Sequence, residues 1–343
     1  MEKAITARDN QQSTKEGEQE TAAAVARATE PTMTLQSRVQ ALLAALRPRQ
    51  WTKNFAVFIG IVFAQQLFSI PAFERAVIAF VTFCLASSST YLLNDLLDLE
   101  NDRQHPVKRL RPLASGRLPV AWAMVAIGVL VLLCGCCALL LFRIPVQSHH
   151  DIFAALGGAN LLFTLIIIAY LTLMVLYSVR LKHVVLVDVF IIASGFILRV
   201  LAGAIALPVS ISPWLYLVTT FLSLFLALSK RRHELVLLQG QASNHRKILK
   251  EYSIPLLDQM ITIVVAATII AYSLYTVQGV TGNHRLMVTV PLVLYGMFRY
   301  LYLVYMRMEG GSPEEVLLRD RHMLGTVLLC TILIIVVLYI LPR

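Results

Sequence analysis

Nine runs of apolar residues, each close to the ~20 needed to cross a ~30 Å hydrocarbon core, constrain this chain more than any other feature. They lie at roughly 54–70, 72–94, 119–142, 152–177, 184–207, 213–229, 257–279, 286–306 and 323–341. The runs are continuous rather than alternating. Helices are therefore the expected form, because a helix pairs its backbone polar groups within its own segment. Composition agrees. Of 343 residues, 57% are hydrophobic and 15% charged, against ~25% charged in ordinary soluble domains. So much apolar surface cannot be hidden from water in a chain this size, and the same arithmetic excludes disorder for the bulk of it. The expected fold class is all-α, a polytopic membrane protein with about nine transmembrane helices. The first two runs are expected to form a tight hairpin about Ile70-Pro71.

Positive charge sets the orientation. With the N-terminus in the cytoplasm, the inner segments hold nineteen Lys and Arg residues and the outer ones four: Arg75, Arg143, Arg285 and Arg343. That asymmetry predicts N-terminus in and C-terminus out, for a multi-pass protein of the cell membrane. It also puts the long loops 95–118 and 230–256 on the cytoplasmic side, so any chemistry faces the cytoplasm. The net charge of +10 reads as this basic face plus anionic ligands, not as nucleic-acid binding. Residues 1–32 are polar and patternless, a disordered cytoplasmic tail without the apolar core of a signal peptide. Residues 33–48 carry Leu35, Val39, Leu42, Leu43 and Leu46 at helical spacing and predict an amphipathic helix on the membrane surface. Residues 49–343 form the nine-helix domain that would carry catalysis. The five cysteines sit in apolar runs and read as small buried hydrophobes, with no disulfide framework and no zinc spacing.

The strongest chemical signal is the stretch Asn94-Asp95-Leu96-Leu97-Asp98-Leu99-Glu100-Asn101-Asp102. On a straight helix Asp95, Asp98 and Asp102 share a ~60° arc, and Asn94 extends it to ~100°. Glu100 points the opposite way. Three carboxylates on one stripe repel one another unless a cation sits among them, and hard oxygen donors suit Mg²⁺ shared with substrate phosphate. Lys108, Arg109 and Arg111 follow at once, with the chemistry to grip phosphate. Tyr177, Lys182 and Asp188 straddle the entry to the fifth run. Arg199 shares a helix face with Asp188 deep in an apolar segment, where an ionisable residue is a functional candidate by default. Lys230-Arg231-Arg232-His233-Glu234 closes the sixth run, with Lys230 and Glu234 on one face. Arg299 is expected to snorkel along its own stem. Pro313-Glu314-Glu315 and Arg319-Asp320-Arg321 read as helix-start and surface chemistry.

Nine spans with Asn94, Asp95, Asp98 and Asp102 after the second resemble the UbiA-type intramembrane prenyltransferase superfamily. The stretch Tyr177-Ser178…Leu181-Lys182…Asp188 is similar to that superfamily as well. The likeness runs from about residue 45 onward. Four stretches look most like the branch that moves phosphoribosyl groups onto decaprenyl phosphate: 47–54 (RPRQWTKN), 105–116 (HPVKRLRPLASG), 230–235 (KRRHEL) and 313–321 (PEEVLLRDR). Aromatic prenyltransferases hold a second aspartate pair after the sixth span. Here Lys230, Arg231 and Glu234 stand in that place, which suits a donor and acceptor richer in phosphate.

The resemblance implies a UbiA-like bundle and transfer of 5-phosphoribosyl from phosphoribosyl diphosphate to a polyprenyl phosphate drawn from the lipid bilayer. It implies Mg²⁺, with Mn²⁺ able to substitute, held by Asn94, Asp95, Asp98 and Asp102. Asp95, Asp98, Asp102, Lys230 and Glu234 are the implied catalytic residues. Lys108, Arg109, Arg111, Tyr177, Asp188 and Arg231 are implied at the substrates, and Lys53, Lys182 and Arg199 at the lipid phosphate. A homo-oligomer is compatible with all of this. Two other readings stand beside it: a prenyltransferase with an aromatic acceptor on the same fold, and, remotely, an ion-coupled transporter.

Overall fold

A computed structural model describes residues 34–144, 158–209, 212–238, 251–278, 284–311 and 313–341. The expected N-terminal tail lies outside the described residues, as does most of the long loop after the sixth span. The chain opens with α1 (Leu35–Ala45), capped by Thr34, whose hydroxyl oxygen accepts from the Ser37 amide at 3.3 Å. This helix lies within the segment expected to rest on the membrane. It buries Ala41 and Ala45 beside Leu92, Leu113 and Leu118, and leaves Leu35, Val39 and Leu43 exposed.

The first traverse departs from expectation. It is not an α-helix over 54–70 but a 3₁₀ helix at Pro48–Phe58 that runs into α2 (Ile59–Phe63). A 3₁₀ helix rises ~2.0 Å per residue against ~1.5 Å in an α-helix, so these sixteen residues reach about 30 Å, enough to cross. The hairpin turn also moves. Pro71 sits in the first turn of α3 (Ile70–Leu97), where its missing N–H leaves nothing unpaired.

After α3 come α4 (Leu99–Gln104), α5 (Val120–Leu140), α6 (Ala159–Val179), α7 (Val187–Ala206), α8 (Pro213–Leu238), α9 (Ile254–Val277), α10 (Val290–Met306), α11 (Pro313–Arg319) and α12 (Arg321–Ile335). The last of these ends in a π turn at Val336–Ile340. Eight helical segments among the described residues are long and apolar enough to cross a membrane. With the 3₁₀ traverse they make nine passes. Arg47 at the start of the first pass lies against Asp95. Tyr339 at the end of the last lies against the carbonyls of Ile61 and Val62, where the first pass ends. The chain therefore begins and finishes its passes at opposite ends of the bundle, as an odd number requires.

Two packed halves share α7. Val57, Phe83, Cys134, Phe163, Tyr170 and Ala202 join the first traverse, α3, α5, α6 and α7. Val189, Phe225, Leu257, Ile261, Tyr300 and Leu303 join α7 to α8, α9 and α10. The first traverse touches α7 backbone to backbone: a Cβ on Gly203 would lie 2.0 Å from the Val57 carbonyl oxygen. Only glycine allows this approach.

Two charges and one helix end sit differently from the sequence reading. Arg75 is no outer-loop charge; it is fully buried. Its guanidinium donates to the carbonyls of Ala206, Leu141 and Ile144 and to the Asn160 side chain at 2.5–2.9 Å. Two of those carbonyls lie at helix C-termini, whose partial negative charge answers the cation. Arg299 does not simply snorkel: its Nη2 pairs with Asp320 at 2.6 Å, and Asp320 caps α12 through the Met323 amide at 2.7 Å. The sixth span does not stop at 229, because the residues from Lys230 to Leu238 include no helix breaker. All five cysteines are free; Cys84 and Cys134 are buried as expected, but Cys136 is exposed and Cys137 and Cys330 are half-buried, because those positions face outward from the bundle.

Candidate active site

The acidic stripe ends α3 at the face of the bundle where Arg47 lies. Its helix is not straight. Asp98 adopts φ −94°, ψ 5° between α3 and α4, and the bend turns it away from its two neighbours. Asp95 and Asp102 stay together: Nη1 of Arg111 lies 3.0 Å from Oδ1 of Asp95 and 2.5 Å from Oδ2 of Asp102. Asp98 faces Lys182, whose Nζ is 2.5 Å from its Oδ1, and its other oxygen accepts from the Asn94 amide at 3.2 Å. Asp95 takes a second cation, Arg47, at 2.5 Å. Three carboxylates and three cations thus interleave, with the cations drawn from three separate connecting segments.

Arg47 is the residue that the reading of charge and spacing missed, having counted it only as topological charge. It takes the left-handed φ of 54°, disfavoured for a residue with a Cβ. Its guanidinium also sits 5.1 Å from the Tyr91 ring centroid. Strained backbone of this kind clusters at functional sites. The one signal in sequence was that Arg47 opens the stretch RPRQWTKN.

The expected four-residue metal set is not gathered at one point. Among the described residues, no three His, Cys, Asp or Glu side chains converge closely enough to share one ion. The bend at Asp98 and the wedge of Arg111 between Asp95 and Asp102 are the physical reasons. The donors are nonetheless all oxygen, and Mg²⁺ is commonly held by one or two carboxylates, with phosphate and water completing its shell. The donor chemistry fits such an ion.

A second charged cluster lies where α7 and α8 meet. Asp188 is fully buried. It pairs with Nη2 of Arg231 at 2.7 Å and accepts from the Tyr252 hydroxyl at 2.8 Å. Arg231 also pairs with Glu234, and Tyr177 lies within electrostatic reach of Arg231. The Tyr252 oxygen accepts from the Leu186 amide at 2.7 Å and so pins a residue with φ 65°. Burial pushes the Tyr252 phenol up to about 12, so it stays a donor at neutral pH. Lys182, on the 3₁₀ turn Leu181–His183 just before α7, links this cluster in sequence to the first.

The remaining expected residues divide. Lys53 pairs with Gln50 at 2.5 Å on the first traverse. Lys108 opens the 3₁₀ turn Lys108–Leu110, and its amide and that of the preceding Val107 donate to the His105 ring. Arg109 is exposed, and Lys230 is half-buried at the same end of α8 as Arg231. Arg199 is not brought to either cluster. It stacks near Phe83, twelve residues from Asp95 on α3, or about 18 Å along the axis. Its donors go to Asn54, Gly195 and Tyr170.

This arrangement can hold anions that carry several charges. The cations of Arg47, Arg111 and Lys182 can turn to phosphate, and the carboxylates are left for a hard metal ion or for positive charge developing on a substrate. Decaprenyl-phosphate phosphoribosyltransferase of Corynebacterium glutamicum is 34% identical over 308 residues, covering 88% of this chain and 87% of that protein. The protein of the same name from Mycobacterium tuberculosis is 31% identical over 295 residues, covering 82% and 89%. Among solved structures, a UbiA homolog from Archaeoglobus fulgidus bound to GPP and Mg²⁺ superposes with a TM-score of 0.63 at 18% identity, covering 88% of this chain and all of that one. The model of the UbiA prenyltransferase family matches residues 54–316, and the chain belongs to that family.

Proposed function

We propose that this transferase moves the 5-phosphoribosyl group of phosphoribosyl diphosphate onto a polyprenyl phosphate of the decaprenyl type. The observation that carries the reading is the interleaving of Asp95, Asp98 and Asp102 with Arg47, Arg111 and Lys182 at one end of the bundle. A donor with a diphosphate and a 5-phosphate, meeting a lipid phosphate, needs fixed positive charge and carboxylates side by side. The relatives named for that reaction, at 31–34% identity over most of the chain, support the same donor and acceptor.

In the reaction, an oxygen of the lipid phosphate attacks C1 of the ribose. The bond from C1 to the diphosphate breaks, and pyrophosphate leaves with the electron pair. The products are polyprenyl-phosphoryl-5-phosphoribose and pyrophosphate, a lipid-linked pentose suited to cell-envelope synthesis. The nucleophile is already an anion, so no strong general base is required. Arg111 and Arg47 orient the diphosphate, and Lys182 takes up phosphate charge beside Asp98. The carboxylates also favour positive charge as it develops on the sugar ring. A Mg²⁺ ion, for which Mn²⁺ substitutes, would be held by one or two of these carboxylates, with phosphate and water completing its shell, and would neutralise the leaving group. Lys230, Arg231 and Glu234 border the ribose 5-phosphate side, with Tyr177 and Asp188 behind them. Lys53, Lys108 and Arg109 add charge at the rim. Catalysis is positioning plus electrostatics. The site opens to the cytoplasm, with the N-terminus inside and the C-terminus outside.

The test is direct. Purified protein, Mg²⁺, polyprenyl phosphate and phosphoribosyl diphosphate labelled in the ribose should move label into the organic phase, with one pyrophosphate released per label. Label that stays in water overturns the reading. Transfer of a prenyl group from a prenyl diphosphate to an aromatic acid would replace it with the aromatic prenyltransferase alternative.

A further inference from the structure

An eleven-residue 3₁₀ helix is unusual. Its hydrogen bonds are poorer than those of an α-helix, and runs beyond three or four residues are uncommon. Contacts outside Pro48–Phe58 must therefore hold it. Arg199 makes one of them. Its Nε donates to Oδ1 of Asn54 at 2.7 Å, its Nη1 to the Gly195 carbonyl at 2.6 Å and its Nη2 to the Tyr170 hydroxyl at 2.9 Å. The rings of Tyr170, Phe196 and Phe83 surround its guanidinium at 5.0–5.8 Å.

Asn54 is fully buried. Its amide nitrogen donates to Ser87 Oγ and Cys84 Sγ, both at 3.3 Å. One side chain so ties the first traverse to α7 on one side and α3 on the other. Three residues earlier, Trp51 Nε1 donates to Ser88 Oγ at 3.0 Å, and that hydroxyl donates to the Leu46 carbonyl at 2.9 Å. Residues i and i+3 eclipse at three residues per turn, so pins at Trp51 and Asn54 against neighbouring serines select 3₁₀ geometry over α. The length matters at the active site. If residues 48–54 relaxed to an α-helix, the segment would shorten by about 3.5 Å. The Arg47–Asp95 pair, 2.5 Å long, would not survive that shift.

We infer that Arg199 and Asn54 are positioning residues: from within the bundle they hold the first traverse in its extended register, and through it they hold Arg47 on Asp95. Only the kinetic arm of the test rests on the function proposed above. Full-length wild type and the variants Asn54→Leu, Arg199→Lys and Asn54→Asp are compared by hydrogen exchange in detergent micelles. Asn54→Leu and Arg199→Lys should speed exchange of the amides of residues 50–58 at least about tenfold, with the middle of α3 unchanged. Asn54→Asp should keep the protection, because its carboxylate still accepts from Arg199. Unchanged exchange over 50–58 in the first two variants overturns the inference, as does loss of protection spread evenly over α3. In the kinetic arm, Asn54→Leu and Arg47→Met should each lower kcat/KM at least about tenfold, and the double variant should be no worse than Arg47→Met alone. Multiplying losses overturn the inference. Failure of wild type to transfer phosphoribosyl overturns the proposed function instead, and the exchange arm still decides the role of Arg199 and Asn54.

Discussion

Lys182 places its ammonium 2.5 Å from Oδ1 of Asp98, the residue at which α3 bends into α4. The lysine is buried, so each member of the pair sets the charge that the other feels. Asp98→Asn should lower turnover at least about a hundredfold, or ~2.7 kcal/mol of transition-state stabilisation. It should also lower the melting temperature, because Lys182 is left without its carboxylate. Asp98→Asn combined with Lys182→Met should recover stability and not activity. EDTA should abolish turnover in wild type and Mg²⁺ restore it. Full activity in EDTA would remove the metal from the mechanism.

Lys230 and Arg231 are neighbours with different duties. Arg231 is buried between Asp188 and Glu234, so Arg231→Ala takes the cation from the fully buried Asp188 and should cost several kcal/mol of stability. Lys230 is half-buried. Lys230→Ala should fold normally and lower kcat/KM for phosphoribosyl diphosphate about tenfold, ~1.4 kcal/mol. Steady-state kinetics beside thermal unfolding separate the two, and a Lys230→Ala enzyme that matches wild type would reduce the motif to a membrane anchor.

Gly203→Ala should be severely destabilising. The added Cβ would meet the backbone of Val57, 2.0 Å from its carbonyl oxygen, and backbone cannot swing aside as a flexible side chain does. A loss of ~3 kcal/mol or more is expected, at the upper end for overpacking. Gly60→Ala, with its nearest contact at 3.0 Å, should cost less. Thermal unfolding of both in one detergent orders them.

Tyr252 ties a pH dependence to the second cluster. Its folded pKa, pushed up to about 12 by burial, lies above the ordinary phenol value of ~10. The neutral phenol therefore contributes stability that is complete below about pH 10 and is lost as pH rises toward 12. Melting curves from pH 8 to 11.5 should show this loss in wild type and a smaller one in Tyr252→Phe. At pH 8 the variant should already be ~1–3 kcal/mol less stable, since the Leu186 amide and Asp188 lose a partner.

Orientation is checked by labelling in a background without native cysteines. Gln104→Cys, exposed beside the acidic stripe, should react only when the cytoplasmic face is open to the reagent. Phe68→Cys, 77% exposed at the other end of the bundle, should react in intact cells. The reverse pattern would overturn the cytoplasmic site.

Nine passes, their connectivity and the end of the bundle that carries charge were legible in the residues themselves. Apolar runs of fixed length have one stable form in a bilayer, and Asp95, Asp98 and Asp102 fall at the end of one such run by sequence position alone, although the bend at Asp98 parts it from the other two. The tertiary structure decided what spacing cannot express. Arg75 and Arg199 look alike in sequence, each one cation near or within an apolar run. Packing gives the first to helix C-termini and the second to an asparagine. The first traverse reads as an ordinary helix until Trp51 and Asn54 meet serines on α3. Arg47 reads as a topological charge until its left-handed backbone turns it onto Asp95. Local sequence sets which face a residue occupies and how far its segment reaches. Which distant groups satisfy a buried cation depends on the neighbours that the whole bundle brings to it, because hydrogen bonds and ion pairs act only over a few ångströms.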